Sequence, residues 1–416
     1  MIFDREYYLQ KLIQKQRNGL IKIVTGLRRA GKSFLLFDLF KNYLLNSGYD
    51  DKHIICINFD GEEYRGYRNS TDAYSLIKSK INENEKFCIL LDEVQYVDDF
   101  VPMLNSILHM YNIDCYVTGS NSKFLSKDVV TEFRGRGDEI HLYPLSFAEL
   151  LSKYDNKYRC LEDYILYGGL PIVCNDNDVK SKSSYLKNIF KETYIIDIIE
   201  RYGIRKSEEL DNLVNILSSG IGSLSSIKNI VNTFKSVYGT SIDINTIKSY
   251  IEILKDIFLI NEVERYDIKG RKYIGAERKY YFEDIGLRNA RIGFRQIDRS
   301  HIMENIIYNE LVRRRYDVDM GIVNKKVKSK DTRINRQYEV DFIAELGYKK
   351  YYIQSVYSMD NEKKRTQELE SLKLVGDSFK KFIIRYDNEG IYIDNDGIIN
   401  IGFFDFLLNE DCFSFD

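Results

Sequence analysis

The chain has 416 residues, with 44% hydrophobic and 30% charged side chains, which is typical of a folded globular protein rather than a disordered one. Its formal net charge of −2 excludes a polycation that binds nucleic acid through its overall charge. The length allows two or three domains with cores of their own. No apolar run is long enough to span a bilayer and no leader opens the chain, so we expect a cytoplasmic protein with no membrane partner.

The first predicted elements surround a glycine-rich segment. A predicted strand at residues 21–25 precedes Gly-Leu-Arg-Arg-Ala-Gly-Lys-Ser, and apolar residues at helical spacing follow it. This is the P-loop pattern G-x-x-x-x-G-K-S with both of its flanking elements. The glycines let backbone N–H groups point at phosphate oxygens, and the helix dipole adds positive charge there. The expected nucleotide-binding residues are Gly26, Leu27, Arg28, Arg29, Ala30, Gly31, Lys32, Ser33 and Phe34.

Two of these side chains have specific expected roles. Lys32 supplies a cation for the β- and γ-phosphates, and Ser33 supplies a hydroxyl ligand for Mg²⁺. A glycine turn that only joins a strand to a helix is the alternative. It is disfavoured because all four motif positions and both flanks are present.

An apolar run at residues 87–91 ends in two carboxylates, Asp92 and Glu93. Continuous apolar strands are typical of parallel sheets buried on both faces, and such sheets bind ligands at the carboxyl ends of their strands. We expect Asp92 to hold Mg²⁺ and Glu93 to orient and polarise the attacking water. The alternative is an acidic loop after a core strand, which the upstream P-loop disfavours.

The next predicted strand, at residues 113–119, leads to Ser120 and Asn121. Both are candidates for sensing the γ-phosphate, although a polar loop or helix N-cap explains them as well. Downstream, Arg134 and Arg136 flank a glycine. We favour Arg136 as an arginine finger that offsets transition-state charge, supplied by this chain or by a neighbouring copy. Simple solvation of both arginines is the alternative.

Strands and helices alternate through residues 1–155, which predicts an α/β P-loop ATPase domain built on a doubly wound parallel sheet. The acidic pair after one strand and the polar tip after the next favour the branch of P-loop NTPases with an extra strand between the P-loop strand and the acidic strand. That branch hydrolyses its nucleotide.

Several segments together resemble the AAA-type ATPases of bacteria and archaea that carry a family-specific C-terminal domain of unknown function. In the first half they are GLRRAGKS at 26–33, LLDEVQYV at 90–97, VTGSNSKFL at 117–125 and RGRGDEIHLYPLSFAEL at 134–150. Later ones are YGGLP at 167–171, KYYFEDIGLRNA at 279–290, ENIIYNELVRR at 304–314 and the stretch from 339 to 358. The resemblance implies ATP binding and hydrolysis. Its layout is similar to ATPases that couple a P-loop module to a winged helix and a nuclease-like domain.

The pattern then turns helical, and we expect a helical lid or linker at 156–203 and a winged-helix-like domain at 204–290. A strand pair is predicted at 258–266 and 272–274. The predicted wing, residues 265–279, carries the basic residues Arg265, Lys269, Arg271, Lys272, Arg278 and Lys279. Of these, Arg271 and Lys272 are the candidates for DNA contact. Acidic residues are interleaved with these, so a plain connector is the alternative.

Residues 291–416 are expected to form an α/β domain similar to restriction endonucleases. Glu304 on a helix and Asp341 on a strand match two carboxylates of the metal site in that fold. Gln354 and Val356 stand where its pattern requires a glutamate and a lysine, so we expect the fold without the catalysis. A basic hairpin predicted at residues 324–336 offers three further candidates for DNA contact, Lys325, Lys326 and Lys328. A solvated charged loop is the alternative.

Three functional hypotheses follow. The first is Mg²⁺-dependent ATP hydrolysis coupled to rearrangement of the later domains. The second is a slow nucleotide-dependent switch. The third is a DNA-binding effector that uses the wing and the basic hairpin.

Overall fold

The structure, a computed structural model, describes residues 2–82, 84–119, 135–195, 198–199, 202–295, 297–329, 332–357, 369–386 and 390–414. Ser120, Asn121 and Arg134 lie outside these residues. Contacts divide the chain into two units. The first comprises Met1–Pro144, Leu170–Asn175 and Leu254–Leu259, and the second comprises Leu145–Gly169, Asp176–Ile253 and Ile260–Asp416. The second unit therefore contains most of residues 156–416, for which the sequence predicted three separate regions.

The helices and strands have the following bounds. The α-helices are α1 (Glu6–Gln14), α2 (Lys32–Phe34), α3 (Lys41–Asn46), α4 (Ser70–Ser79), α5 (Phe100–Leu108), α6 (Phe147–Leu151), α7 (Lys157–Tyr167), α8 (Pro171–Cys174), α9 (Val179–Ile189), α10 (Ser207–Ser219), α11 (Ile227–Val237), α12 (Ile244–Asp256), α13 (Ile285–Arg291), α14 (Arg299–Arg313) and α15 (Phe403–Leu408). The strands are β1 (Ile21–Thr25), β2 (Ile54–Asn58), β3 (Phe87–Asp92), β4 (Ile113–Thr118), β5 (Gly137–His141), β6 (Ser225–Ser226), β7 (Ile260–Val263), β8 (Arg265–Asp267), β9 (Lys272–Tyr273), β10 (Glu277–Phe282), β11 (Asp317–Ser329), β12 (Thr332–Leu346), β13 (Lys349–Val356), β14 (Lys380–Arg385), β15 (Ile391–Ile393) and β16 (Ile399–Gly402). A π-helical segment, Leu35–Phe40, joins α2 to α3, and another, Phe190–Ile195, follows α9. In the described part of the chain, no helix has the length and apolar character needed to cross a bilayer.

The first unit contains a five-stranded parallel sheet in the order β2-β3-β4-β1-β5. Alternate strand residues enter two separate cores. Ile23 and Leu91 pack with α4 and α5, whereas Val24 and Leu90 pack with α1 and the helix after the P-loop. Both faces are therefore covered, as the continuous apolar strands predict. β4 lies between β1 and β3, which confirms the predicted extra strand.

The second unit contains two sheets. A three-stranded sheet has the order β6-β10-β7, and an eight-stranded mixed sheet has the order β15-β16-β14-β13-β12-β11-β8-β9. The strand pair predicted at 258–266 and 272–274 is only partly correct. β7 pairs with β10, while β8 pairs with both β9 and β11. The strands β8 and β9 of the expected wing are therefore part of the larger sheet. The basic hairpin is formed by β11 and β12.

Two sequence motifs of the family resemblance meet in the second unit. The Gly169 N–H donates to Asp284 Oδ2 over 2.8 Å, and Asn289 Nδ2 donates to the Ile165 carbonyl over 2.8 Å. Gly168 has φ +71°, and a Cβ there would lie 2.4 Å from Asp284 Oδ1. The glycines of YGGLP and the Asp-Ile-Gly turn that opens α13 are thus matched parts of one packed junction.

Asp284 makes the stability of this junction dependent on pH. Burial raises the pKa of its carboxyl to about 6, although backbone N–H donors from Gly169, Leu287 and Gly286 oppose the shift. The folded chain thus binds this proton more tightly than the unfolded chain, whose aspartate pKa is 3.8. The contribution to the free energy of unfolding is complete below pH 3.8. It falls by about 3 kcal/mol as the pH rises through 6.

Asp284→Asn tests this pH dependence by denaturant unfolding across that range. We expect the stability advantage of the wild type over the variant to shrink by about 3 kcal/mol as the pH rises. Asp298→Asn changes an exposed N-cap aspartate on α14 and serves as the matched control. A difference between wild type and Asp284→Asn that stays constant with pH would contradict the prediction.

Candidate nucleotide-binding site

The P-loop is a tight turn between β1 and α2. Gly26 has φ +134° and Gly31 has φ +101°, a region of backbone conformation that favours glycine. A Cβ at Gly26 would lie only 2.2 Å from the Leu142 carbonyl oxygen, so no larger residue fits there. Gly31 is the N-cap of α2, which places Lys32 at the first helical position. The predicted strand, loop and helix are all present.

Lys32 lies inside the curl of the loop. Its side chain is buried, and Nζ donates to the carbonyl oxygens of Gly26 at 2.9 Å and Leu27 at 3.1 Å. An ammonium held at this point is available to phosphate oxygens that enter the loop. Gly26 and Leu27 therefore contribute through their carbonyl groups.

Asp92 ends β3 and is buried beside Ser33. Its Oδ1 accepts a hydrogen bond from Thr118 Oγ1 at 2.5 Å, and its carboxylate also accepts one from the Ser33 hydroxyl. Burial raises the pKa of Asp92, with the Glu93 charge acting in the same direction. The hydrogen bonds and the Lys32 charge lower it less. A hydroxyl next to a carboxylate is an oxygen donor set of the kind that Mg²⁺ prefers, so these residues fit the predicted metal.

Glu93 follows Asp92 in a left-handed backbone conformation with φ +52°. Its N–H donates to Thr118 Oγ1 at 2.9 Å, and its carboxylate accepts a hydrogen bond from Gln95 Nε2. A non-glycine residue in this conformation is uncommon and persists only where its surroundings hold it. Here one hydroxyl, that of Thr118, links the two carboxylate residues.

One cavity of about 450 Å³ in the first unit brings most predicted residues together. It is lined by Arg28, Arg29, Gly31, Lys32, Ser33, Phe34, Asp92 and Glu93. Ala30 lines a smaller adjoining cavity of about 120 Å³. Gly26 and Leu27 lie behind the loop surface.

Five further residues that are not among the predicted site residues also line the larger cavity. They are Asn58, Asp60, Pro171, Ile172 and Asn175. Asn58 is aligned with Asp92 on the neighbouring strand, so the order of the sheet places it there. Pro171 Cγ is 3.8 Å from the position that a Cβ of Gly31 would take, so this proline packs against the P-loop. In the sequence, Asn58 directly follows the apolar run at residues 54–57, and this position is the signal that could have identified it.

Thr118, the last residue of β4, is also absent from the predicted site. The predicted candidates near this strand were Ser120 and Asn121, which follow it in the sequence. Thr118→Val keeps the shape of the side chain but leaves Asp92 Oδ1 and the Glu93 N–H without this hydrogen-bond partner. We expect a loss of about 1–3 kcal/mol in the free energy of unfolding, together with slower ATP turnover. Denaturant unfolding and an ATPase assay measure the two effects. Thr118→Ser retains the hydroxyl and is the control, and equal stability of the two variants would contradict the assignment.

The geometry does not fit Arg136 as a finger for its own chain. Gly137 pairs with Ile21 and His141 with Thr25, so Arg136 lies at the amino end of β5. The P-loop begins at the other end with Gly26, five residues beyond the Ile21 that pairs with Gly137, which is roughly 17 Å along the strand. Arg136 Nη1 donates to Asn105 Oδ1 at 3.2 Å, away from the cavity. The prediction that Arg136 acts as an arginine finger at the site of a neighbouring copy remains a prediction.

The predicted DNA-contacting residues lie in the second unit. Arg271 and Lys272 are exposed in the β8–β9 hairpin, and Lys326 is exposed on β11. Lys325 Nζ pairs with Glu370 Oε1 at 2.6 Å. Lys328 is on β11, but its side chain is outside the described residues. Nearby, Arg278 pairs with Glu262 at 3.1 Å.

Comparison with known proteins identifies the domains to which two parts of the chain are similar. Residues 18–151 match the family described as AAA domain, and residues 158–298 match a domain of unknown function, DUF8612. An uncharacterized protein of Haemophilus influenzae is 33% identical over 417 residues, covering 98% of this chain and 99% of that protein. The chain belongs to this family of AAA-domain proteins.

A second relative and a solved structure extend the comparison. An uncharacterized protein of Methanocaldococcus jannaschii is 30% identical, covering 89% of this chain and 83% of that protein. The solved structure of the Walker-type ATPase PABY2304 of Pyrococcus abyssi is similar in fold, with a TM-score of 0.51 at 19% identity. The match covers 70% of this chain and 96% of that chain, and it supports the P-loop NTPase fold.

Proposed function

We propose that this AAA-family protein binds ATP with Mg²⁺ at the P-loop and hydrolyses it. The observation that carries the proposal is that Lys32, Ser33, Asp92 and Glu93 line one cavity at the carboxyl edge of the parallel sheet. These four side chains come from two separate sequence motifs. Their chemistry matches the parts required for phosphoryl transfer to water.

Each residue has a distinct task in this proposal. The loop N–H groups and the Lys32 ammonium bind the β- and γ-phosphates, and Ser33 and Asp92 are the residues that would hold Mg²⁺. When bound, the metal neutralises charge on the phosphate oxygens. Glu93 orients and polarises the water that attacks the γ-phosphate, and Thr118 holds Asp92 and Glu93 in place. Positioning and charge stabilisation supply most of the catalysis.

The course of the chain supports coupling to the second unit. Leu170–Asn175 belongs to the first unit and lines the cavity through Pro171, Ile172 and Asn175. The residues immediately before and after this segment belong to the second unit. A displacement of the cavity wall on nucleotide binding is thus passed along the backbone in both directions. The order α10, β6, α11, α12, β7, β10 supports a winged helix as one recipient.

DNA binding has weaker support, and we do not propose it as a second function. Several basic side chains in the two expected DNA surfaces pair with carboxylates of the same unit, including Lys325 with Glu370 and Arg278 with Glu262. Such pairing lowers the positive charge available to a phosphate backbone.

An ATPase assay with and without Mg²⁺, repeated with duplex and single-stranded DNA, tests the proposal. We expect hydrolysis that requires Mg²⁺ and does not need DNA. Turnover well below roughly one per minute favours the slow-switch alternative over a turnover enzyme. Tight ATP binding with no hydrolysis under any of these conditions would contradict the proposed activity.

A further inference from the structure

Lys279 lies among three carboxylates inside the second unit. Its side chain projects from β10 and is only 4% exposed. Lys279 Nζ is 2.7 Å from Glu304 Oε1, 2.5 Å from Glu339 Oε1 and 3.9 Å from Asp341 Oδ1. Glu304 is on α14, whereas Glu339 and Asp341 are on β12. The lysine thus joins the three-stranded sheet to elements of the C-terminal region.

The carboxylates of this cluster have further partners that fix their orientation. The Tyr281 hydroxyl donates to Glu304 Oε1 at 2.6 Å, and the Ser355 N–H donates to Asp341 Oδ2 at 2.8 Å. Burial lowers the pKa of Lys279, but the attraction of the three carboxylates outweighs it, so the net pKa is raised. The ammonium therefore remains charged throughout the physiological range of pH.

Glu304 and Asp341 are the two carboxylates that the sequence pattern places in a nuclease-like metal site, but the surrounding residues do not fit a metal. The ammonium of Lys279 contacts Glu304 directly and lies 3.9 Å from Asp341 Oδ1, so it occupies the space between the two carboxylates. Gln354 Oε1 is directed to the Asp341 N–H and the Ser371 hydroxyl, each at 3.4 Å. Within the described residues, no group of three or more His, Cys, Asp or Glu side chains has an arrangement that could hold a metal ion.

We propose that Lys279 is the resident cation of this cluster, that it takes the place of a divalent metal, and that the wild-type chain binds no divalent cation there. The Lys279 ammonium supplies the positive charge that three neighbouring carboxylates require. In Lys279→Ala, repulsion between the uncompensated carboxylates favours a divalent cation in place of the ammonium. The arrangement of Glu304, Glu339 and Asp341 in the wild type does not fit a metal, so we expect these side chains to rearrange around the ion. This inference is independent of ATP hydrolysis.

The first test compares the wild type with Asp341→Asn, both free of nucleotide, by calorimetric titration with Mn²⁺. Any Mn²⁺ bound near the P-loop is common to both proteins and cancels. We expect the same number of bound ions and the same affinities in the two chains. One additional Mn²⁺ on the wild type would overturn the proposal, because it would require Asp341 to ligate a metal beside Lys279.

The second test compares Lys279→Ala with the double variant Lys279→Ala/Asp341→Asn, after circular dichroism has shown that both are folded. We expect one additional Mn²⁺ on Lys279→Ala, bound about tenfold or more tightly than any ion on the double variant, and a Mn²⁺-dependent rise in its melting temperature. A folded Lys279→Ala protein that titrates like the double variant would overturn the proposal. If Lys279→Ala does not fold, the first comparison decides.

Discussion

Replacing Lys32 with alanine is expected to lower ATP affinity by about 100-fold or more, which corresponds to about 2.7 kcal/mol. The ammonium is buried inside the loop and is held by the carbonyls of Gly26 and Leu27. Bound phosphates would lose a charge-assisted contact in a partly desolvated site, where such contacts are strongest. Equilibrium binding of a fluorescent ATP analogue measures the change.

Lys41→Ala is the matched control for this variant. Lys41 lies on the same continuous run of helix, but its Nζ pairs with Asp51 at 2.8 Å at the surface. We expect the Lys41→Ala protein to bind ATP within about threefold of the wild type, since an exposed ion pair contributes little. Equal ATP affinity in the Lys32→Ala and Lys41→Ala proteins would remove Lys32 from the binding site.

Replacing Glu93 with glutamine is expected to leave ATP binding nearly unchanged and to reduce turnover by about 100-fold or more. Glutamine keeps the size of the side chain and one oxygen acceptor, but it lacks the negative charge that polarises water. The left-handed backbone at Glu93 and its N–H bond to Thr118 do not depend on the carboxylate, so the local structure is retained. Binding and steady-state hydrolysis are measured on the same preparation.

Glu62→Gln supplies the comparison for the loss of one carboxylate. Glu62 follows β2 on the surface, where its carboxylate pairs with Arg65 at 3.1 Å and is 82% exposed. We expect wild-type turnover from this variant. Hydrolysis at the wild-type rate by Glu93→Gln would show that another group polarises the water.

Much of the first unit could be predicted because its signals are local. β1 was predicted with its observed bounds, Ile21–Thr25, and the apolar run before Asp92 proved to be a strand buried on both faces. Lys32 and Ser33 are adjacent in the sequence, and so are Asp92 and Glu93. The two pairs lie close together because parallel strands present their carboxyl ends at the same edge of a sheet.

The missed residues depend on long-range structure. Asn58 reaches the site because β2 lies next to β3, and Pro171 reaches it because the chain returns to the P-loop after α7. Thr118 was read as part of β4, and its hydroxyl gained a role only when β4 was placed between β1 and β3. Neither strand order nor the return of a distant segment is encoded by local periodicity.

Arg136 and Lys279 show that neighbours in the sequence do not determine where a basic side chain lies in the fold. Arg136 has the glycine neighbours of a mobile finger, but its position at the amino end of β5 puts it at the wrong edge of the sheet for its own chain. Lys279 is one of the basic residues of the predicted wing. Its side chain is buried, because β10 directs it toward Glu304 and β12.

The most direct test of the account is a single turnover with protein in excess over radiolabelled ATP and Mg²⁺, followed by identification of the bound nucleotide. The account predicts ADP on the wild type, intact ATP on Glu93→Gln and no bound nucleotide on Lys32→Ala. ADP formation by Glu93→Gln at the wild-type rate, or by the wild type in the presence of a Mg²⁺ chelator, would contradict it.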